Sequence, residues 1–147
     1  MPAIEQLAEL KEGDRAAIVA PLDEFSRQRG FVWQPRPMVL VVRNELSEIV
    51  GGLIGQLQWE WLRIEILAVA EQLRGQGWGR QLVERAEHLA KAGGCHHSWV
   101  DTFTFQAPAF YERLGYRQFG ELHNYPDGQV RYFFAKVLAG PSETLTK

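Results

Sequence analysis

The chain has 147 residues, of which 46% are hydrophobic and 23% are charged, proportions typical of a globular protein. Its 16 Lys and Arg and 18 Asp and Glu give a formal net charge of -2, so electrostatics provide no attraction for nucleic acid or an anionic membrane. A lone cysteine, Cys95, excludes an intrachain disulfide, and the N-terminus lacks the basic start and apolar run of a secretion signal. We therefore expect a cytoplasmic protein with a single domain over 1–147, of which 139–147 form a flexible tail.

The first half of the chain predicts one helix followed by three strands. Apolar residues at helical spacing indicate a helix over 14–29, which Pro21 is expected to kink or divide. The strands, rich in β-branched residues and separated by short turns, form an antiparallel set. Their expected ranges are 38–42, 49–59 and 62–69. Glycines within the second strand, at 51, 52 and 55, indicate bulges or a close approach of backbone.

The second half predicts alternating helices and strands. A helix over 79–92 ends at Gly93 and Gly94. A strand over 97–105 follows, with Asp101 on the same side as three aromatic residues. The remaining expected elements are a short helix between Pro108 and Gly115 and a hairpin of strands over 116–122 and 130–138. The predicted fold is therefore α/β (α+β), with a mostly antiparallel mixed sheet of six to seven strands and flanking helices.

A glycine-rich segment, residues 72–80, lies between a predicted strand and a predicted helix. Backbone N–H groups at a helix start favour an anion such as phosphate. The segment lacks the Gly-Lys-Ser/Thr of a P-loop, and Arg80 stands where a dinucleotide fingerprint has its third glycine. The alternative is a turn in which the glycines serve only the local backbone.

Two motifs together identify a resemblance to a known family. The run Arg74-Gly75-Gln76-Gly77-Trp78-Gly79 resembles the coenzyme A pyrophosphate loop of the GNAT superfamily of N-acetyltransferases, [QR]-x-x-G-x-[GA]. The run Ala107 to Tyr116, APAFYERLGY, is similar to the family's A-x-x-[FL]-Y-x-[KR]-x-G-[FY] helix. The resemblance covers residues 38–138. It implies a GNAT-like fold with splayed central strands, acetyl-CoA as cosubstrate, and transfer of an acetyl group to an amine by direct attack in a ternary complex.

The resemblance also implies a set of cofactor contacts. The backbone of residues 67–69 would pair with the pantetheine arm as an added strand, and one of its N–H groups would polarise the thioester carbonyl. Thr104 stands where many family members have asparagine, and Arg80 and Arg113 could reach phosphates or simply be solvated charges. The implied cofactor-binding residues are Leu67, Ala68, Val69, Arg74, Gly75, Gln76, Gly77, Trp78, Gly79, Arg80, Thr104, Ala107, Phe110 and Arg113.

Two residues are candidates for catalysis. Tyr111 corresponds to the family tyrosine that donates a proton to the departing thiolate; the alternative is a purely structural core aromatic. An alkylamine is mostly protonated at pH 7, so a base is useful. Glu65, two residues from Leu67 and expected on the same face, is the candidate base; Asp101 and water are its rivals, and a simple ion pair or solvated carboxylate is the structural alternative.

Other functions and sites remain as alternatives at this point. A non-catalytic acyl-CoA sensor would keep the glycine loop without needing Glu65 or Tyr111. An interaction protein could pair through the edge of the C-terminal hairpin. His88, His96 and His97 lack ligand partners at suitable spacing, so no metal site is expected. The acceptor is expected to be an amine of a small molecule or protein, and a homodimer is compatible with the resemblance.

Overall fold

The structure is a computed structural model that describes residues 1–138, so the predicted tail lies outside the described residues. Three α-helices and six strands make up this part of the chain. In chain order they are α1 (Asp14–Gln28), β1 (Arg36–Arg43), β2 (Ile49–Gln58), β3 (Trp61–Val69), α2 (Trp78–Ala92), β4 (His97–Phe103), α3 (Pro108–Arg113), β5 (Arg117–His123) and β6 (Val130–Val137). A short 3₁₀ turn, Glu71–Leu73, lies between β3 and α2.

The chain divides into two compact units, one over Met1–Gln34 and a second that begins at Pro35. In the first unit α1 runs through Pro21 without a break, so the predicted division of this helix is wrong. A proline removes one backbone hydrogen bond, and the bonds on either side carry the helix past it. The extension of one domain over residues 1–147 stays a prediction.

The second unit contains the sheet, whose strand order is β1-β2-β3-β4-β6-β5. All neighbours are antiparallel except β3 and β4, which are parallel and joined through α2. One face of α2, with Val83, Ala86 and Ala90, packs against buried strand residues such as Leu62 and Phe134. The predicted mixed, mostly antiparallel sheet is confirmed.

The two parallel strands separate part of the way along the sheet. Their pairing runs from Trp61 opposite His97 to Ile64 opposite Val100 and ends there. Beyond that point β3 continues to pair with β2 as far as Val69, while β4 continues to pair with β6. The predicted splay of the central strands is therefore confirmed, and a gap opens between β3 and β4 after Ile64.

A β-bulge lies at the start of this gap. Ile54 is opposite Ile66 and Gly55 is opposite Ile64, so Glu65 is an extra residue on β3. The bulge changes the alternation of side chains along β3. Ile64 is buried in the core before the bulge, and Leu67, three residues later, packs on the same core after it. The prediction that Glu65 shares a face with Leu67 is wrong, because an extra residue inverts the two-residue period of a strand.

The strand β4 ends two residues earlier than predicted. The backbone N–H of Gln106 donates to the Phe103 carbonyl at 2.9 Å. The Gln106 side-chain oxygen in turn accepts from the Phe103 N–H at 3.1 Å and from the Thr102 hydroxyl at 3.2 Å. These bonds form a turn in place of the last strand residues, so Phe105 is 62% exposed rather than part of the strand.

Gly55 enables the bulge, and its replacement tests that dependence. A Cβ added at Gly55 would lie 2.5 Å from the carbonyl oxygen of Arg63, which is backbone and cannot move aside cheaply. We expect Gly55→Ala to lower the free energy of unfolding by about 2 kcal/mol, as overpacking does elsewhere. Urea denaturation measures the change.

The matched control is Gly120→Ala on β5, where an added Cβ meets no atom within 4 Å. We expect that variant to be as stable as the parent. Equal stability of the two variants would contradict the close approach at Gly55.

Candidate active site

The glycine-rich segment leads from the end of β3 into the start of α2, as predicted. Gly75 and Gly77 adopt positive φ angles of 78° and 88°, a conformation that favours glycine. Within the described residues no side chain caps this helix start, so its first N–H groups are free to bind an anion. The Arg74 guanidinium donates to the Val69 carbonyl at 3.2 Å, which fixes the loop against the end of β3.

This helix start forms one end of a groove of about 670 Å³. The walls come from the end of β3, the glycine loop, the first turn of α2, and α3. The groove brings together most of the residues that sequence predicted to bind the cofactor, namely Leu67, Ala68, Val69, Arg74, Gly75, Gly77, Trp78, Gly79, Arg80, Ala107, Phe110 and Arg113. Leu73 and Leu114 also line it; sequence reasoning missed them because apolar residues at element ends are indistinguishable from core.

Two predicted cofactor residues lie outside this lining. Gln76 donates its amide to the Gln72 carbonyl at 3.1 Å. Thr104 donates its hydroxyl to the Gln129 side chain at 2.6 Å and accepts from the Val130 N–H at 3.1 Å. The Thr104 side chain thus binds the start of β6, and its contact with a cofactor stays a prediction.

A second cavity, of about 570 Å³, occupies the gap between β3 and β4. Its walls include the bulged Glu65 and the β4 residue Asp101, together with Tyr111 from α3. It shares Leu67, Arg74, Ala107 and Phe110 with the groove. The two cavities therefore meet, and both candidate carboxylates and the candidate tyrosine line the second cavity.

The Tyr111 side chain is held by packing on three sides. Its ring lies edge-on to Phe110 and Tyr116, with centroids 5.0 and 5.8 Å away, and 6.4 Å from Phe134. Burial, and secondarily the charge of Asp101, raise the pKa of Tyr111 to about 12. The phenol is therefore protonated at neutral pH and can donate a hydrogen bond into the cavity.

The two carboxylates differ in their partners. Asp101 accepts a hydrogen bond from Arg131 Nε at 2.7 Å. Arg131 also donates to the Tyr125 hydroxyl at 3.1 Å, and its guanidinium lies over the Phe103 and Tyr125 rings. Among residues 1–138, by contrast, the Glu65 side chain has no hydrogen bond or ion pair. Of the two carboxylates that line this cavity, Glu65 is thus the one without a partner among the described residues.

Sequence reasoning missed Arg131. It lies 30 residues from Asp101 and meets it only through the register of β4 against β6, which places Phe103 opposite Arg131. No local pattern carries that information. Arg131 is therefore a part of the site that only the structure identifies.

Other candidate sites are accounted for. No three His, Cys, Asp or Glu side chains between Met1 and Leu138 lie where they could hold a metal ion together. Cys95 is 2% exposed, and burial raises the pKa of its thiol. None of the helices in these residues has the length and apolarity needed to span a membrane.

Several acetyltransferases of known sequence or structure are similar to this chain. Blasticidin-S acetyltransferase of Streptomyces morookaense is 40% identical over 111 residues, covering 73% of this chain and 82% of that protein. The crystal structure of an acetyltransferase from Bacillus cereus is 31% identical, with a TM-score of 0.79, covering 90% of this chain and 97% of that one. A crystal structure of aminoglycoside 6'-N-acetyltransferase complexed with coenzyme A shares the fold, with 18% identity, a TM-score of 0.63, and coverage of 71% and 74%.

Residues 4–116 match the model of the acetyltransferase (GNAT) family. That match spans more than half of the chain and includes both motifs up to Tyr116. The relatives are acetyltransferases, in agreement with the open helix start and the groove beside it. The chain is an N-acetyltransferase that belongs to the GNAT family.

Proposed function

We propose that this enzyme transfers the acetyl group of acetyl-CoA to a primary amine of a small molecule, by direct attack within a ternary complex. One observation carries the proposal: the groove and the second cavity meet beside Leu67, with Glu65 and Tyr111 on the walls of the second. A thioester held in the groove and an amine held in the cavity would meet at that junction. Proximity of this kind supplies a large part of the rate of a two-substrate reaction.

The groove suits coenzyme A at both ends. The pyrophosphate would bind the N–H groups of the glycine loop and the start of α2, where the helix dipole is positive. The pantetheine arm would pair with the backbone of residues 67–69, on the edge that β3 no longer shares with β4. A backbone N–H on that edge would polarise the thioester carbonyl.

Glu65 is the proposed base. An amine nitrogen must lose a proton before its lone pair can attack the carbonyl carbon. Asp101 is bound by Arg131, so its charge is already compensated, whereas Glu65 lines the same cavity with no described partner. The bulge supports this assignment, because bulges commonly redirect a side chain at active sites.

Tyr111 is proposed to stabilise the leaving group. As the amine nitrogen forms its bond to the carbonyl carbon, the C–S bond breaks and negative charge develops on sulfur. With its pKa raised to about 12, Tyr111 holds its proton more strongly than a thiol of pKa about 8.5 does. We therefore propose a hydrogen bond from Tyr111 to the sulfur, which leaves as a thiolate. Glu65 takes the proton that the nitrogen loses and returns it to solvent, and the thiolate takes up one proton from solvent, so the products are the amide and the free thiol.

The proposed acceptor class follows from the relatives. A protein that is 40% identical over most of its own length is a blasticidin-S acetyltransferase, so blasticidin S is the first acceptor to assay. Amines of other small molecules form the next set. Acceptors on proteins, a homodimer and a cytoplasmic location stay predictions from the sequence.

The experiment that tests the function is acetylation of blasticidin S by the purified protein with acetyl-CoA. We expect release of free coenzyme A thiol and an acetylated product detected by mass spectrometry. Gly77→Glu should abolish the reaction and the calorimetric binding of coenzyme A, since a carboxylate beside the pyrophosphate site repels it.

Gly77→Ala is the matched control. Both substitutions strain the same positive φ, but only glutamate adds charge, so the alanine variant should retain measurable binding. Absence of coenzyme A binding by the parent protein would refute the proposed function, whereas binding without acetylation would refute only this acceptor.

Replacing Glu65 tests its role as base. We expect Glu65→Gln to lower kcat/KM about 100-fold at pH 7, a usual loss for a general base. The deficit should shrink as the pH approaches the pKa of the acceptor amine, which then needs no base. The measurement is the pH profile of kcat/KM for both enzymes.

Glu60→Gln makes the same change in the turn immediately before β3, at the end of that strand away from the gap. That control should leave the profile unaltered. If Glu65→Gln matches the control, Glu65 is not the base.

Replacing Tyr111 tests the leaving-group role. We expect Tyr111→Phe, which keeps the ring and its packing, to lower kcat by roughly 10- to 100-fold. The KM for acetyl-CoA should change less than about twofold, because the hydrogen bond forms only as charge develops. Steady-state kinetics with acetyl-CoA and the acceptor measure both parameters.

Tyr132→Phe removes the hydroxyl from a half-buried tyrosine of the same unit and should not change kcat. A full loss of activity in Tyr111→Phe with unchanged folding would contradict a role limited to stabilising the leaving group, as would no loss at all.

A further inference from the structure

A buried carboxylate lies on α2, away from both cavities. Glu87 is 9% exposed, although it belongs to a helix whose other buried residues are apolar. Its Oε1 accepts from Lys136 Nζ at 3.0 Å, and its Oε2 accepts from the Tyr116 hydroxyl at 2.8 Å. Neither cavity is lined by Glu87, so the reaction proposed above gives it no role.

The partners of Glu87 extend the cluster to three further elements. Lys136, on β6, also donates to the carbonyl of Leu114 at 2.7 Å, and Leu114 is the C-cap of α3. The Tyr116 hydroxyl lies 2.8 Å from the Ser98 hydroxyl on β4. We call Glu87, Ser98, Tyr116 and Lys136 the Glu87 cluster; it joins α2, β4, β6 and the end of α3.

The Glu87 cluster also contacts Tyr111, the residue proposed to face the leaving group. The Tyr116 N–H donates to the Tyr111 carbonyl at 3.0 Å, and the two rings lie edge-on. The other end of α3 is close to α2 as well, since a Cβ added at Gly79 would lie 3.4 Å from the Phe110 ring. The two helices that border the groove are thus held together at the glycine loop and, through Glu87, behind Tyr111.

A buried ion pair is a weak source of stability, because desolvation of the two charges offsets much of their attraction. What such a pair does supply is a defined distance and direction between the elements that it joins. Here the Lys136 ammonium binds Glu87 of α2 and Leu114 of α3 with the same group. A single ammonium group therefore joins α2 to the end of α3.

We propose that Glu87 and Lys136 are positioning residues that hold the Tyr111 hydroxyl at the sulfur of acetyl-CoA bound along α2. The proposal rests on the proposed role of Tyr111. It predicts that loss of the cluster acts on kcat through Tyr111, rather than on the binding of acetyl-CoA.

The test is a double-mutant cycle between Lys136→Met and Tyr111→Phe. In the parent enzyme we expect Lys136→Met to lower kcat about tenfold. This loss is smaller than the roughly 100-fold loss of rate that a displacement of about 1 Å can cause. The KM for acetyl-CoA should change less than about twofold, and in the Tyr111→Phe variant the same substitution should change kcat less than about twofold. Lys91→Met, the same change at an exposed position of α2, should affect neither parameter.

The outcomes separate this inference from the function on which it rests. An equal loss of kcat from Lys136→Met in the parent enzyme and in the Tyr111→Phe variant, or no loss in either, overturns the positioning role while leaving the acetyltransfer and the role of Tyr111 in place. No effect of Tyr111→Phe itself overturns both the role of Tyr111 and this inference.

A second variant is needed if Lys136→Met unfolds the protein because the buried Glu87 carboxylate has lost its ammonium partner. Glu87→Gln with Lys136→Met removes both charges and should recover the thermal stability of the parent. We expect kcat to remain low in that variant, because the Leu114 carbonyl still lacks its donor. Recovery of kcat together with stability would show a purely structural role and overturn the proposal.

Discussion

The end of pairing between β3 and β4 at Ile64 and Val100 is the constraint on which the rest of the structure depends. Each strand keeps its outer partner beyond that point, so the gap does not unravel the sheet. Within residues 1–138, it leaves one edge of residues 65–69 without a strand partner. Backbone groups in that position favour an extended ligand that can act as a strand. The two cavities of the site occupy the space that the absent pairing leaves.

The bulge at Glu65 connects this opening to the chemistry. Gly55 lets the backbone of β2 approach Arg63 where the register shifts. The bulge directs the Glu65 side chain into the gap, and it also brings Leu67 onto the core beyond the bulge. A single inserted residue thus provides the candidate base and the apolar support for the strand edge that would bind the pantetheine arm.

The sequence predicted the parts of the site that depend on neighbouring residues. The glycine loop and α2 follow from spacing within a few positions, and the structure has them where expected. The prediction for the face of Glu65 was wrong because a bulge depends on the pairing of two strands. The glycine at position 55 did, however, indicate a close approach of backbone. The contacts of Asp101 with Arg131 and of Glu87 with Lys136 join residues 30 and 49 positions apart. Only the sheet order, with β6 between β4 and β5, brings those pairs together.

The most direct test of this account is amide hydrogen exchange of the protein with and without coenzyme A. We predict that coenzyme A slows exchange in two segments, the glycine loop at 74–79 and the end of β3 at 65–69. Protection of the loop would report the pyrophosphate, and protection of β3 would report pantetheine bound as an added strand. Slower exchange in the loop, with β3 exchanging as in the free protein, would contradict the claim that the gap between β3 and β4 holds the reactive arm of the cofactor.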